Sequence, residues 1–228
     1  MTYILPCDAF SRIFIISLLL LVGFSACHRP PEPSGHDATP IPLADDPTQI
    51  DMTDDGPLEV RFDRGTATMT RRAGFRLAGK VCGLNHLKKS KFHGLIPYDL
   101  CVAWGRLATE DLGGKVHYKH DSLRLVWVHV EADSPVSWDY AKTHFSNSHL
   151  ICADDRVCRA LGSLSKGDEI ELTGYLVDAD ILLTGETRPR EWKTSTVRTD
   201  TGLGACETIY VTSVRFDGNV YGQVTPTE

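Results

Sequence analysis

Alternation of apolar and polar residues is the feature that most limits the folds open to this chain. In residues 169–177, Ile170, Leu172 and Leu176 occupy alternate positions, with charged and polar residues between them. Successive side chains of a β-strand point to opposite faces, so this period of two is typical of a half-buried strand. Alternation, or a β-branched and aromatic composition, predicts further strands over 58–62, 75–83, 100–107, 123–130 and 207–216.

The stretch 123–130 is apolar at nearly every position. Strands buried on both faces have such near-continuous apolar sequences, so we predict a central strand here. Helix signals are fewer. Asp154 can cap a short helix that Gly162 ends, and the apolar residues of this helix share one face: Val157, Ala160 and Leu161. A second short helix is predicted over 137–145.

These elements predict a mainly β domain, with an α+β class as the alternative. Residues 166–177 begin with Lys-Gly-Asp-Glu and continue into an alternating strand, which looks like a strand of OB-type barrels. We therefore expect a small OB-like barrel or a sandwich with one or two short helices. Such a fold carries no function by itself.

The first residues have the pattern of an export leader. Residues 13–24 form an apolar run of about 12 residues, which suits a signal peptide and is too short to span a bilayer. Arg12 precedes this run, and Ser25 and Ala26 come directly before Cys27. This resembles the lipobox of bacterial lipoproteins, which implies a signal peptide over 1–26 and a diacylated Cys27. Ordinary cleavage near Ala26 and a retained anchor helix are the alternatives.

The resemblance to lipoproteins also implies a location. His28 follows the cysteine where an inner-membrane retention signal usually has Asp. We therefore expect an outer-membrane lipoprotein that faces the periplasm and contacts the membrane through its N-terminal lipid.

Residues 27–57 have the composition of a tether. Seven of the 12 prolines and seven acidic residues lie here, against one base, Arg29. A segment with so few large apolar residues is predicted to be disordered and extended, because burial cannot offset its ordering entropy. One globular domain is then expected over 58–217, followed by a flexible tail over 218–228.

The tether also accounts for the net charge of −6, because acidic and basic residues balance in the remainder of the chain. A neutral domain lacks the basic excess of a general nucleic-acid binder, so no nucleic-acid partner is predicted. Residues 58–98 hold nine bases and two acids. They could contact an anionic lipid or cell-wall polymer, or could simply be solvated faces.

Five cysteines lie in the predicted domain, and export would place them in an oxidising compartment. Cys152 and Cys158 flank the predicted helix start and are a candidate disulfide. Cys82 and Cys101 could also pair if strand geometry brings them close. Cys206 follows a glycine-containing turn. It could be a nucleophile if a neighbour lowers its pKa, a disulfide partner, or a small buried residue.

His144, Asn147 and His149 lie close together in the sequence. The histidines could bind a metal, could act as a base toward Cys206, or could only fix a loop. Five residues on a helix rotate the second side chain by about 140°, and an odd separation on a strand puts the two on opposite faces. We therefore predict no metal site and no cofactor. The four tryptophans could stack a ligand, although core packing is the more frequent use.

Several stretches between residues 75 and 214 resemble a group of uncharacterised proteobacterial exported proteins. They carry a Trp-Gly motif at Trp104, a His-x-x-Asn-x-His motif that starts at His144, and a Gly-Ala-Cys-Glu motif that starts at Gly204. The resemblance implies no known activity. It does imply which residues form the group of interest: His144, Asn147, His149, Arg198, Asp200 and Cys206.

The sequence thus favours a non-enzymatic, membrane-tethered module that binds an envelope protein or a cell-wall ligand. The first alternative is a thiol-dependent hydrolase or transferase. Cys206 would be its nucleophile, with His144 or His149 as the base and with Asn147 or Asp200 to orient it. The second alternative is a divalent-metal binder that uses the two histidines.

Overall fold

The computed structural model describes residues 30–52, 56–197, 199–200 and 204–223. The predicted leader, its Cys27 and the candidate residue Arg198 lie outside these residues. Among the described residues, no helix is long and apolar enough to cross a membrane. Contacts divide the chain into the units Met1–Pro31 and Glu32–Glu228, and all elements named below belong to the second unit.

The described residues form a mainly β structure with three short helices. The strands are β1 (Gly35–His36), β2 (Thr48–Asp51), β3 (Leu58–Phe62), β4 (Gly65–His86), β5 (Tyr98–Ala103), β6 (Val116–His120), β7 (Val126–Val130), β8 (Phe145–Cys152), β9 (Glu169–Leu183), β10 (Arg190–Trp192), β11 (Glu207–Phe216) and β12 (Asn219–Gly222). The helices are α1 (Arg106–Thr109), α2 (Trp138–Ala141) and α3 (Asp155–Gly162). The predicted mainly β class is confirmed.

Ten strands make one mixed sheet in the order β1-β12-β11-β8-β5-β4-β9-β10, with β2 and β3 also paired to β4. Because β11 pairs with β9 as well as with β8, the sheet closes partly into a ring, but it is not a barrel. The ring strands β8 and β11 are parallel, and the other ring pairs are antiparallel. β6 and β7 form a separate two-stranded sheet.

The main core lies between the inward faces of the ring strands. The alternation predicted for 169–177 is confirmed, because Ile170, Leu172 and Leu176 are fully buried. A second core lies under the parts of β4 and β9 that extend beyond the ring, where Met69 and Ile181 are buried with residues of the loop after β4.

Helix α3 forms as predicted. Asp154 caps it, and its side chain accepts a hydrogen bond of 2.8 Å from the backbone N–H of Val157. Caps of this kind contribute about 1 kcal/mol. The three apolar residues of the expected face are buried against the main core: Val157, Ala160 and Leu161.

The second predicted helix is shorter than expected. Ser137 caps α2, but the helix ends at Ala141, and Phe145 begins β8. Phe145 pairs with Ala103 of β5. Sheet pairing on both sides of β8 therefore determines the conformation after residue 144, and the helical spacing of the apolar residues does not.

The prediction of a central strand over 123–130 is wrong. β7 pairs only with β6 within the described residues, and Leu123 and Trp127 are 70% and 63% exposed. One face of this hairpin packs on a third small core through Val128 and Val130, and the other face is open. The continuous apolar sequence reflects an exposed aromatic face and not burial on both sides.

The strand predicted over 100–107 is shorter than expected: it ends at Ala103, and α1 follows it.

The described part of the predicted tether lies against the sheet. β1 pairs with β12, which itself falls in the predicted tail, and β2 pairs with β4. The buried Arg215 donates to the Thr39 backbone oxygen and to Glu171, and the Trp104 indole N–H donates to Asp46 at 3.0 Å. Composition predicted disorder here, because acidic side chains that accept specific hydrogen bonds cannot be told from solvated ones in the sequence.

Candidate functional site

The candidate site lies on one face of β5 and β8, which are neighbours in the ring. Alternation along β8 puts Asn147 and His149 on the same face. The antiparallel register places His149 opposite Asp99 and Asn147 opposite Cys101. Asp99 is fully buried, and Asn147 and His149 are each 7% exposed.

A network of charged side chains surrounds Asp99. Its carboxylate accepts hydrogen bonds from both Nε and Nη2 of Arg124 and bonds Nδ1 of His149 at 2.7 Å. Burial acts to raise the pKa of Asp99, but the hydrogen bonds from Arg124 and His149 outweigh burial and lower this pKa below its ordinary value. Asp99 therefore holds a negative charge inside the protein.

Arg124 connects this network to the β6–β7 hairpin. It lies in the turn of the hairpin with a left-handed φ of 66°, which is uncommon for a residue with a side chain. Its guanidinium lies 4.9 Å from the ring centroid of Trp192, and the edge of His149 meets the same ring. The turn is thus held over the sheet by an ion pair and by a cation–π contact.

Asn147 joins this network to Cys206. The parallel register of β8 and β11 brings the start of β11 beside Asn147. The amide Nδ2 donates to the backbone oxygen of Arg124 at 2.6 Å and to Sγ of Cys206 at 3.2 Å. Asn147 Oδ1 is buried, and the His120 ring interacts with the same side chain.

The environment of Cys206 does not activate its thiol. Burial raises the pKa of Cys206, and the hydrogen bond from Asn147 offsets this only in part. No hydrogen bond in the described part of the chain links Cys206 to His144 or His149. Neither of these two histidines is therefore in the position of a base hydrogen-bonded to the thiol.

The two predicted histidines have different surroundings. His144 precedes β8, and its ring stacks on Tyr140 at 3.7 Å and lies beside Trp104. His149 bonds Asp99 instead. Over the residues that the structure describes, no group of three or more His, Cys, Asp or Glu side chains could hold a metal ion. The structure thus brings Asn147, His149 and Cys206 together and leaves His144 apart from them.

A pocket of about 240 Å³ opens beside Asn147 and Cys206. Its apolar wall comes mainly from the hairpin, α2 and β8: Leu125, Val126, Trp127, Val128, Trp138 and Phe145. Its other lining residues are mostly polar: Lys142, Ser146, Asn147, Asp200, Ala205, Cys206 and Glu207. The predicted residue Asp200 accepts a 2.6 Å hydrogen bond from Ser195, which fixes the loop on this side.

The tryptophans divide into two groups. Trp104 is 2% exposed and packs in the main core, as predicted for core residues. Trp127 and Trp138 are 63% and 54% exposed, and both line the pocket. Core packing is therefore not the role of these two residues.

The residues that sequence reasoning missed are Asp99, Arg124, His120 and Glu207. Asp99 had a detectable signal, because it is a lone charge at the start of an apolar strand. His120 lies near Asn147 and Asp99, and burial lowers its pKa despite the charge of Asp99. Glu207 also had a signal, because it ends the Gly-Ala-Cys-Glu motif. Arg124 reaches the site through a turn conformation, which no local pattern indicates.

Four of the five domain cysteines form two adjacent pairs. Cys82 lies beside Cys101, where a β-bulge in β4 faces β5, and Cys152 lies beside Cys158 at the start of α3, since each thiol shifts the pKa of its neighbour. The structure describes all five as free thiols. Both pairings considered from the sequence are therefore close in space, and Cys206 is left as the cysteine of the pocket.

No family model, curated protein or solved structure matches this chain. The geometry of the site is therefore the basis for assigning a function.

Proposed function

We propose that this chain is a membrane-tethered binding module of the cell envelope and that the pocket beside Asn147 is its ligand site. The pocket itself carries the proposal. Two exposed tryptophans and an apolar wall face a small set of converging polar groups, which is the usual composition of a site for a small ligand. Exposed aromatic surface of this kind is typical of binding faces.

We also infer that the ring of strands is OB-like. Its members are, in chain order, β4, β5, β8, β9 and β11, and they pair around the ring in the order β4-β5-β8-β11-β9. Helix α3 lies between the third and the fourth of them in the chain. Asp99 and Asn147 come from the second and third of these strands. In OB-type folds the face of these two strands, with its flanking loops, is the usual ligand surface. The fold supports the position of the site and does not identify the ligand.

The membrane part of the proposal rests on the leader. Diacylation of Cys27 would anchor the protein without a spanning helix and place it on the periplasmic side of the outer membrane. The resemblance to exported proteobacterial proteins agrees with this location. Intact-mass analysis of the protein purified from the envelope tests it, with Cys27→Ala as the variant that must lose the lipid.

A fragment screen tests the binding site. Ligand-observed NMR with small aromatic, amine and sugar fragments would be run on the mature protein, on Ala205→Trp and on Ala132→Trp. Ala205 lines the pocket, so a tryptophan there fills it, whereas Ala132 is exposed after β7 and serves as the matched control. We expect fragments to bind the wild type and Ala132→Trp but not Ala205→Trp. Equal binding to Ala205→Trp, or no binding to the wild type, would overturn the proposal.

A thiol-dependent enzyme is the second candidate, because Cys206 lines the pocket and accepts a hydrogen bond from Asn147. The rate at which iodoacetamide alkylates Cys206 at neutral pH distinguishes the thiol-dependent enzyme from the binding module. A rate below that of a free cysteine peptide fits the raised pKa and the binding module. A faster rate would mean an activated thiol and would favour the enzyme. The metal hypothesis gains no support, because the two histidines do not share a site.

A further inference from the structure

We propose that the free edge of β7 receives an extended segment of a partner protein, which adds a strand to the β6–β7 sheet beside the pocket. This inference rests on the proposed function, because four residues at the start of β7 form one wall of the proposed ligand site: Leu125, Val126, Trp127 and Val128. It adds the chemical class of the ligand, a peptide main chain with apolar side chains.

The hydrogen bonds of the β6–β7 hairpin determine which main-chain groups of β7 are directed outward. The N–H of Asp121 donates to the backbone oxygen of Leu125 at 3.0 Å, so these two residues form a hydrogen-bonded pair. Such pairs alternate along an antiparallel ladder, and Trp127 therefore bonds β6 as well. The N–H and C=O groups of Val126 and Val128 are then directed away from β6. In the part of the chain that the structure describes, no hydrogen-bond partner reaches them.

The sequence of β7 lacks the features that protect a strand edge. Exposed edges are usually blocked by a charged residue, a proline or a bulge. The strand Val126–Val130 is Val-Trp-Val-His-Val, without Asp, Glu, Lys, Arg or Pro, and its register with β6 is continuous. By contrast β10, at the end of the large sheet, has Arg190 and Glu191 among its three residues. The unpaired main-chain groups of β7 are therefore an open template for another strand.

Strand addition also accounts for the near-continuous apolar sequence of 123–130. This composition is typical of a central strand, yet β7 pairs only with β6 among the described residues. With an added strand, β7 becomes the central strand of three, and the peptide side chains alternate between its two faces. On one face Val128 packs on the third small core, and on the other Trp127 is 63% exposed. Apolar side chains on both faces of the peptide therefore complement the site.

A phage-displayed library of random heptapeptides, selected on the mature wild-type protein, tests the inference. The enriched peptide would be synthesised in three forms: unmodified, N-methylated at every odd residue and N-methylated at every even residue. Alternate main-chain N–H groups of a strand point to opposite edges, so one methylated form loses its hydrogen bonds to β7 and the other keeps them. Methylation changes no side chain, and it therefore separates main-chain recognition from apolar contact.

We expect calorimetry to show that one methylated form binds about tenfold more weakly than the unmodified peptide and that the other stays within about threefold. The unmodified peptide should also slow hydrogen exchange at the amides of Val126 and Val128, measured by NMR. Val128→Pro removes an outward N–H at the pocket, and the matched control Val130→Pro removes one beyond it. Only Val128→Pro should weaken the unmodified peptide about tenfold. The methylated forms are tested on the wild type and do not depend on how the variants fold.

No enriched peptide, equal binding of the three forms, or equal weakening of both methylated forms would overturn the inference. A dimer of the wild type that Val128→Pro abolishes would also overturn it, because a second copy of the chain would then cover the edge. If fragments bind the wild type but not Ala205→Trp, and no peptide binds, the proposed site stands although the peptide class fails. If neither fragments nor peptides bind, both proposals fail.

Discussion

Asp99 is the residue on which the site depends most, because its buried charge is balanced by Arg124 and His149. Replacement of Asp99 by Asn would leave Arg124 without its partner. Removal of one member of a buried ion pair costs about 3 kcal/mol. We therefore expect Asp99→Asn to lower the free energy of unfolding by about this amount in urea titrations near neutral pH. Asp180→Asn should leave stability unchanged, and a wild-type value for Asp99→Asn would show that the network contributes little.

The comparison of the wild type with Asp99→Asn also gives a prediction of how stability depends on pH. The folded pKa of Asp99 is lowered, so its stabilising effect is complete above the unfolded value of about 4 and is lost as pH falls through the folded pKa. The difference in unfolding free energy between wild type and Asp99→Asn should be constant between about pH 5 and pH 7 and should shrink below about pH 4. A difference that grows on acidification would contradict this sign.

At the scale of residues, the sequence indicated Asn147, His149, Asp200 and Cys206, and the structure places all four in or beside the site. They could be found because they lie in two short segments at the ends of neighbouring strands. Arg124 could not be found in this way, because a left-handed turn residue brings it to Asp99 from a separate hairpin.

The β6–β7 hairpin is the element whose stability controls the pocket. A two-stranded sheet is marginal by itself, so its position depends on Arg124 and on the apolar residues beneath it. We expect Arg124→Gly to make the amides of β6 and β7 exchange with deuterium about tenfold faster, as measured by mass spectrometry. Leu123→Gly changes the neighbouring exposed residue and should have little effect. Unchanged exchange in Arg124→Gly would show that packing alone holds the hairpin.

In the oxidising compartment that the proposed export implies, we expect two adjacent pairs of free thiols to form disulfides: Cys152 with Cys158, at the junction of β8 and α3, and Cys82 with Cys101, at the bulge of β4. Intact-mass analysis after alkylation without reductant should show the mass deficit of two disulfides and one alkylated domain thiol, Cys206. Closure of the short Cys152–Cys158 loop should add about 2 kcal/mol of stability, which Cys158→Ser would remove. Five alkylated domain thiols would contradict the pairing.

Strand alternation predicted β9 and part of β4, because each has one face in a core, and β-branched and aromatic composition predicted β11. Alternation misplaced the strand over 123–130, because an apolar run does not show which surface covers it.

At the scale of the whole molecule, the mainly β class could be predicted from the period-two patterns and the composition of the strands. The partial closure of the sheet could not, because the parallel pairing of β8 with β11 joins segments far apart in the sequence.

The arrangement of residues 32–52 on the sheet gives a prediction at the scale of the whole described structure. Arg215 holds this segment on the sheet, and we call it the Arg215 clamp. Its buried guanidinium bonds Glu171 and Thr39 and lies 3.4 Å from Asp37. A protease specific for acidic residues should therefore cut the native wild type slowly at Asp37, Asp45 and Asp46, because this segment pairs with the sheet. Arg215→Met should make these cuts about tenfold faster, whereas Arg188→Met in the exposed β9–β10 loop should not. Mass spectrometry of the fragments identifies each site. Rapid cleavage of the wild type at these positions would support the disordered tether instead, because a segment that leaves the sheet freely gains no protection from the Arg215 clamp.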